Sequence, residues 1–242
     1  MYHHYIQKFV FIAALAFVGT GSVYAQSYGF GLKGGLTGAT QAWENRNRAN
    51  SLMLGWHIAA FIESQDNTED KFSIFSQLGY HTRGSAARFA GGVGFDGQIL
   101  DARTFRLQFN NVSLALGGKR KYPSFAGHQW FYSLAVRGEY TMNYNLEIYS
   151  GFSEGVRRFN FGISVGTGYQ FNIAEKVGII LELQVQPDFS RQVFVPPTRW
   201  NNPYNGQIQQ LPEQNIRNLS VELTAGFRLL REIVYDDDYY EY

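Results

Sequence analysis

The chain has 242 residues, 21 Lys plus Arg against 20 Asp plus Glu for a formal net charge of +1, and no cysteine. That balance removes the electrostatic case for a nucleic-acid partner or a polybasic membrane patch, and the missing thiols exclude a disulfide framework, a Cys/His zinc site and a lipidated cysteine. With 26 Gly, 20 Phe and 16 Tyr but only 17% charged residues, the composition is richer in glycine and aromatics than that of an ordinary water-soluble domain.

At the N-terminus Lys8 precedes the apolar run from Phe9 to Val18. The run has the length of a signal-peptide core and is too short to cross a bilayer as a helix, which needs roughly 20 residues. Val23-Tyr24-Ala25 ends on a small residue suited to a cut before Gln26. Residues 1–25 therefore read as a signal peptide, the alternative being a hydrophobic helix that stays attached.

From Gln26 onward no segment holds a 3.6-residue apolar period, while period-2 alternation recurs eight times between turn-rich stretches, which predicts an all-β chain. The first strand is Ser27 to Gly38, with Tyr28, Phe30, Leu32 and Leu36 on one face and Lys33 on the other. Leu52 to Glu63 places Leu54, Trp56 and Ile58 opposite His57 and Glu63; Lys71 to Arg83 sets Phe72, Ile74, Leu78 and Tyr80 on one face, broken only by Ser76. In Thr104 to Leu116 the apolar parity switches from Phe105, Leu107 and Phe109 to Val112, Leu114 and Leu116, which predicts a β-bulge at Asn110-Asn111. Gln129 to Met142 alternates Trp130, Tyr132, Leu134, Val136 and Tyr140 with Ser133, Arg137 and Glu139; Phe159 to Asn172 alternates even more cleanly. Val177 to Val193 sets Ile179, Leu181, Leu183 and Val185 against Glu182, Gln184 and Gln186, and Ile216 to Leu230 sets Leu219, Val221, Leu223 and Phe227 against Glu222 and Arg228.

One such strand would fit a soluble sandwich equally well. The set of eight does not. Aromatic residues stand at the ends of the apolar faces, as Trp130 and Tyr140 or Phe159 and Phe171 do, which is the girdle pattern of a strand crossing a membrane in about 9 to 11 residues. Many glycines, among them Gly162, Gly166, Gly168 and Gly226, fall on the polar face, where a narrow closed barrel leaves least room; the alternative is bends in a soluble barrel. Connections between strands alternate long and short, as they do when outer loops are long and periplasmic turns short. The expected fold is an eight-stranded antiparallel up-and-down transmembrane β-barrel over residues 26–230 in a bacterial outer membrane, with both mature termini periplasmic. An acidic periplasmic tail, 231–242, would follow.

Two stretches carry a family resemblance. The run Tyr28-Gly29-Phe30-Gly31-Leu32-Lys33-Gly34-Gly35-Leu36-Thr37 resembles the opening strand of the Bacteroidota-type outer-membrane β-barrel family, often called PorT-like barrels. The run from Phe109 to Lys119 is similar to that family's fourth strand and turn. The resemblance implies an eight-stranded outer-membrane barrel with no shared catalytic residues. Some members serve a type IX secretion system, and no motif assigns this chain to that role.

Of five histidines, two fall in the signal region; His57, His81 and His128 are read at different depths, which argues against a zinc site. Lys33, Glu63, Arg83, Arg137, Glu139, Glu182, Glu222 and Arg228 all point to the inside and should pair into a polar plug instead of lining a water pore. His81 with Ser85 is the one pair near the level used by lipid-modifying barrel enzymes, but His81 has lumen parity and lacks an orienting carboxylate in sequence. No catalytic residue, cofactor or metal ligand is therefore expected. The loop Phe194 to Asn215 carries Trp200 and Tyr204 among prolines and amides and suits partner contact. The expected role is non-enzymatic: binding through outer loops, or a subunit in a secretion or surface-export complex, surrounded by outer-membrane lipid and joined to an envelope protein partner. A lipid-modifying enzyme and a narrow pore are the alternatives.

Overall fold

The computed structural model describes residues 27–44, 51–65, 72–93, 97–201 and 208–232. The predicted signal peptide and all but the first two residues of the predicted tail lie outside them. Eight long strands dominate: β1 Ser27–Trp43, β2 Met53–Gln65, β3 Phe72–Phe89, β4 Arg103–Pro123, β5 Gln129–Asn145, β6 Phe159–Ala174, β7 Val177–Pro187 and β8 Gln214–Glu232. Each pairs antiparallel with its sequence neighbours, and β1 pairs with β8 from Ser27↔Glu232 to Trp43↔Ile216, closing the ring. Both ends of the sheet's chain thus meet at one end of the barrel, here the near end; the strand ends Gln65 and Phe72, Pro123 and Gln129, and Ala174 and Val177 also lie there. The strand ends Trp43 and Met53, Phe89 and Arg103, Asn145 and Phe159, and Pro187 and Gln214, separated by longer stretches of sequence, lie at the far end. The alternation read from the sequence is present and sharper, because the strands continue past the expected boundaries.

Burial inverts the usual soluble pattern. Outward residues Leu54, Trp56, Ile58, Ile74, Leu78, Leu134, Val136, Phe161, Leu181 and Leu223 are exposed, whereas inward Lys33, Glu63, Arg83, Glu139 and Glu182 are buried. Aromatic pairs border the apolar band: Trp56 with Tyr80 on the far side, and Tyr122 with Tyr132 and Trp130 with Tyr169 on the near side. On β5, Trp130 and Tyr140 are separated by a span that matches a strand crossing hydrocarbon. A polar inside and a banded apolar outside are the architecture of a membrane-spanning barrel.

The expected bulge requires correction. The register between β4 and β5 does shift between Asn110 and Asn111, but their partners are Asn143 and Thr141, so the extra residue is Met142 on β5. Strand β4 keeps its inward parity throughout: Leu107, Phe109, Asn111, Ser113 and Ala115 are all buried. What changes along it is the environment. Near the far end the barrel interior is apolar, with Leu107, Phe109, Leu146, Val193 and Ile216 forming a buried cluster flanked by Trp43, Tyr144, Phe152, Val156 and Val195. The apolar parity switch in the sequence marks where that cap gives way to a polar lumen.

Two further boundaries differ. Gly117-Gly118-Lys119, similar in sequence to a turn, lies inside β4, which continues to Pro123. The seventh strand ends at Pro187 instead of Val193; Asp188 and Gln192 turn inward and bury, and Val193–Val195 pairs with β8 after the break. At Gly84, φ is 146° and an added Cβ would collide with the Leu107 carbonyl, so a side chain there would break the β3–β4 pairing.

Candidate functional site

The interior is built in layers set by strand parity, and its charged side chains are paired. In the layer nearest the termini, Glu63 of β2 accepts from Lys119 at 2.6 Å, Lys121 at 3.0 Å and Arg228 at 3.1 Å. Lys119 also stands 4.6 Å from the centre of the Phe131 ring and near those of Phe61 and Phe75. This aromatic cage lets an ammonium sit away from water with its charge answered by ring faces as well as by a carboxylate. Gly168 makes the cage possible, since a Cβ there would strike the Phe131 ring. Above it, Lys33 of β1 pairs with Glu182 of β7, which also accepts from Ser133 and Gln184.

The middle layer is acidic. Glu139 takes Arg83 at 2.8 Å and also pairs with Arg137, while Asp188 takes Arg83 at 3.2 Å and pairs with Arg137. His81 stands between two carboxylates, its Nε2 3.3 Å from Glu139 and its Nδ1 3.3 Å from Glu222. Gln186 donates to Glu222 and accepts from both Arg83 and Arg137. Beside it, His57 contacts the hydroxyls of Thr37 at 3.1 Å and Thr224 at 2.9 Å. Toward the far end a neutral amide layer follows, in which Gln41, Asn218, Gln192 and Asn160 bond one another and reach Ser85, Thr141 and Asp188. The apolar cap closes the stack. A cavity of about 10 Å³ within this stack is lined by His57, Gln77, His81, Arg137, Gln184 and Glu222 among others, room for a water molecule and little more.

All eight lumen charges expected from the sequence (Lys33, Glu63, Arg83, Arg137, Glu139, Glu182, Glu222 and Arg228) are inside and buried. Four participants escaped the sequence reading. Lys119 and Lys121 fall in a stretch read as a turn, although their even spacing from Ala115 continues the inward face; Asp188 and Gln192 lie beyond regular alternation, where no pattern marks them. His57 and His81, read at different depths, are direct cross-strand partners, while His128 lies apart near the rings of Tyr169 and Phe171. Among the described residues no group of three or more His, Cys, Asp or Glu could hold a metal ion.

His81 and Ser85 are both buried inside the barrel, His81 between carboxylates and Ser85 donating to Gln41, so neither faces lipid. Trp200 lies on a short hairpin, Thr198–Asn201 paired with Ile208–Leu211, at the far end; Tyr204 lies outside the described residues.

No family model and no curated protein matches the chain. Solved structures to which it is similar include the outer membrane protein OprG from Pseudomonas aeruginosa, with 9% identity and a TM-score of 0.48 over 83% of this chain and 95% of that one. Neisserial surface protein A gives 10% identity and 0.43 over 85% and 97% of the two chains. Ail, the attachment invasion locus protein of Yersinia pestis, solved with a heparin analogue, gives 10% and 0.38 over 84% and 99%.

Proposed function

We propose that this chain is a PorT-like outer-membrane barrel that works by binding or assembly, not by catalysis or conduction. Its termini face the periplasm, its far-end loops face outward, and an envelope protein partner engages those loops, as a subunit of a surface-export complex would. The observation that supports this reading is the layered interior. Charged pairs, an amide network and an apolar cap fill the lumen from one end to the other, leaving the rim and the wall for function. A lipid enzyme would need reactive groups on the lipid-facing wall, and the candidate pair is inside.

Two measurements test it. Cysteine placed at Gly92 should label on intact cells, and cysteine at Phe125, exposed in the turn 124–128, only after the outer membrane is permeabilised. In planar bilayers the folded barrel should add no steady conductance, and mild-detergent purification should retain an envelope protein that is lost when residues 198–211 are replaced by a short turn. Steady conductance would favour the narrow pore, and an altered lipid A mass in cells lacking the protein would favour the enzyme.

A further inference from the structure

Among the described residues, the outer wall carries a concentration of positive charge that no ion pair of the barrel uses. Arg157, Arg158 and Arg191 converge where the start of β6 meets the break after β7. The backbone fixes this meeting: Val156 bridges Val193, the Arg157 amide donates to the Gln192 carbonyl at 2.9 Å, and the Thr141 amide donates to the Arg158 carbonyl at 2.7 Å. Gln192 and Asn160 turn into the lumen, which leaves the arginines on the outside. The Arg157 and Arg191 guanidiniums lie 5.9 Å and 5.6 Å from the centre of the same Phe194 ring, and Arg158 donates to the Tyr140 hydroxyl at 3.4 Å.

None of the three is in an ion pair among the described residues; the one exposed pair there is Arg217 with Glu44. Arg157 and Arg191 share one ring and Arg158 follows Arg157 in the chain, so like charges lie close and repel, and burial does not enforce the arrangement, since Arg157 and Arg158 are exposed. Below them, on the lipid-facing side, Phe159, Phe161 and Phe189 stand exposed. Phe159 pairs with Tyr140, the far-side limit of the apolar band, so the arginines occupy the depth of lipid headgroups. An acyl chain against the phenylalanines would bring its headgroup phosphate to the three guanidiniums.

We propose that Arg157 and Arg191, with Phe194 as their platform, and Arg158, held beside Tyr140, form a binding site for the phosphate of an anionic lipid in the outer leaflet. The assignment of leaflet rests on the outward orientation proposed above; the chemistry does not. Guanidinium is suited to phosphate through its planar donor fork, and a phosphate would satisfy the unanswered charge.

The test uses the full mature chain folded in phosphatidylcholine nanodiscs with a minor fraction of phosphatidic acid, released into native mass spectrometry. A juxtamembrane arginine contributes a factor of about five to anionic-lipid attraction, so three overlapping charges should hold phosphatidic acid over phosphatidylcholine by roughly tenfold or more. The variant R157Q/R158Q/R191Q should lose that preference while keeping its heat-modifiable folded band, and R88Q/R103Q/R106Q, altered elsewhere on the same rim, should keep it. Undiminished retention in the first variant overturns the proposal, as does equal loss in the second or displacement by free inorganic phosphate. Orientation is read separately by the cysteine labelling at Gly92, so an inverted barrel that still retains the lipid overturns only the leaflet.

Discussion

The two charged layers of the lumen solve the same problem in different ways. In the near layer a single carboxylate, Glu63, answers Lys119, Lys121 and Arg228. In the middle layer three carboxylates, Glu139, Asp188 and Glu222, share Arg83 and Arg137, and His81 lies between two of them. The near layer gathers its cations on one carboxylate and leans on the faces of three phenylalanines; the middle layer is a mesh in which most groups have two partners. A buried ion pair offers little net stability over a well-packed apolar pair, but removing one partner leaves an uncompensated charge. The difference between the layers is therefore a difference in vulnerability.

The sharpest way to break this contrast is Glu63→Gln. Lys119, Lys121 and Arg228 would lose the carboxylate they share, so the cost should approach the roughly 3–5 kcal/mol typical of a broken buried pair, a large part of a small domain's stability. The measurement is denaturant unfolding in lipid vesicles, followed by the folded-to-unfolded gel shift. If the variant folds with its stability unchanged, the charges of the near layer are answered elsewhere.

The next effect tests the cage. Gly168→Ala would push a methyl group into the Phe131 ring and onto the Leu181 carbonyl, so moving the ring alone does not relieve the clash. A loss of about 1–3 kcal/mol is expected, the usual cost of overpacking a tight interior. The double variant with Phe131→Leu should recover part of it. Simple additivity of the two substitutions would show that Gly168 is required by its backbone and not by the ring.

Much of this was visible before any coordinates. Strict alternation in β6 and β7 dictated which side chains enter the lumen, because parity in a closed barrel leaves two choices and the apolar face must meet lipid. Legibility failed where a position's environment, not its parity, carried the information. Leu107 and Phe109 are inward and apolar because they lie beyond the membrane band, under the cap, and periodicity alone reads that as a change of face. Met142 is an extra residue on a strand whose apolar pattern simply stops there. Asp188 and Gln192 enter the lumen from a strand break that depends on β8 and β6 alike, a tertiary fact with no local signature.

The smallest predicted effect decides whether the middle layer is a mesh in energy as well as in geometry. In Glu222→Gln, His81 keeps Glu139 at 3.3 Å, Arg83 keeps Glu139 at 2.8 Å and Asp188 at 3.2 Å, and Gln186 can still donate to the new amide oxygen. The remaining two carboxylates then match two arginines, so no buried charge is stranded. The cost should be about 1 kcal/mol, that of one hydrogen-bonding rearrangement, in the same unfolding measurement. A loss as large as that of Glu63→Gln would mean that the middle layer depends on all three carboxylates at once and is no mesh in energy.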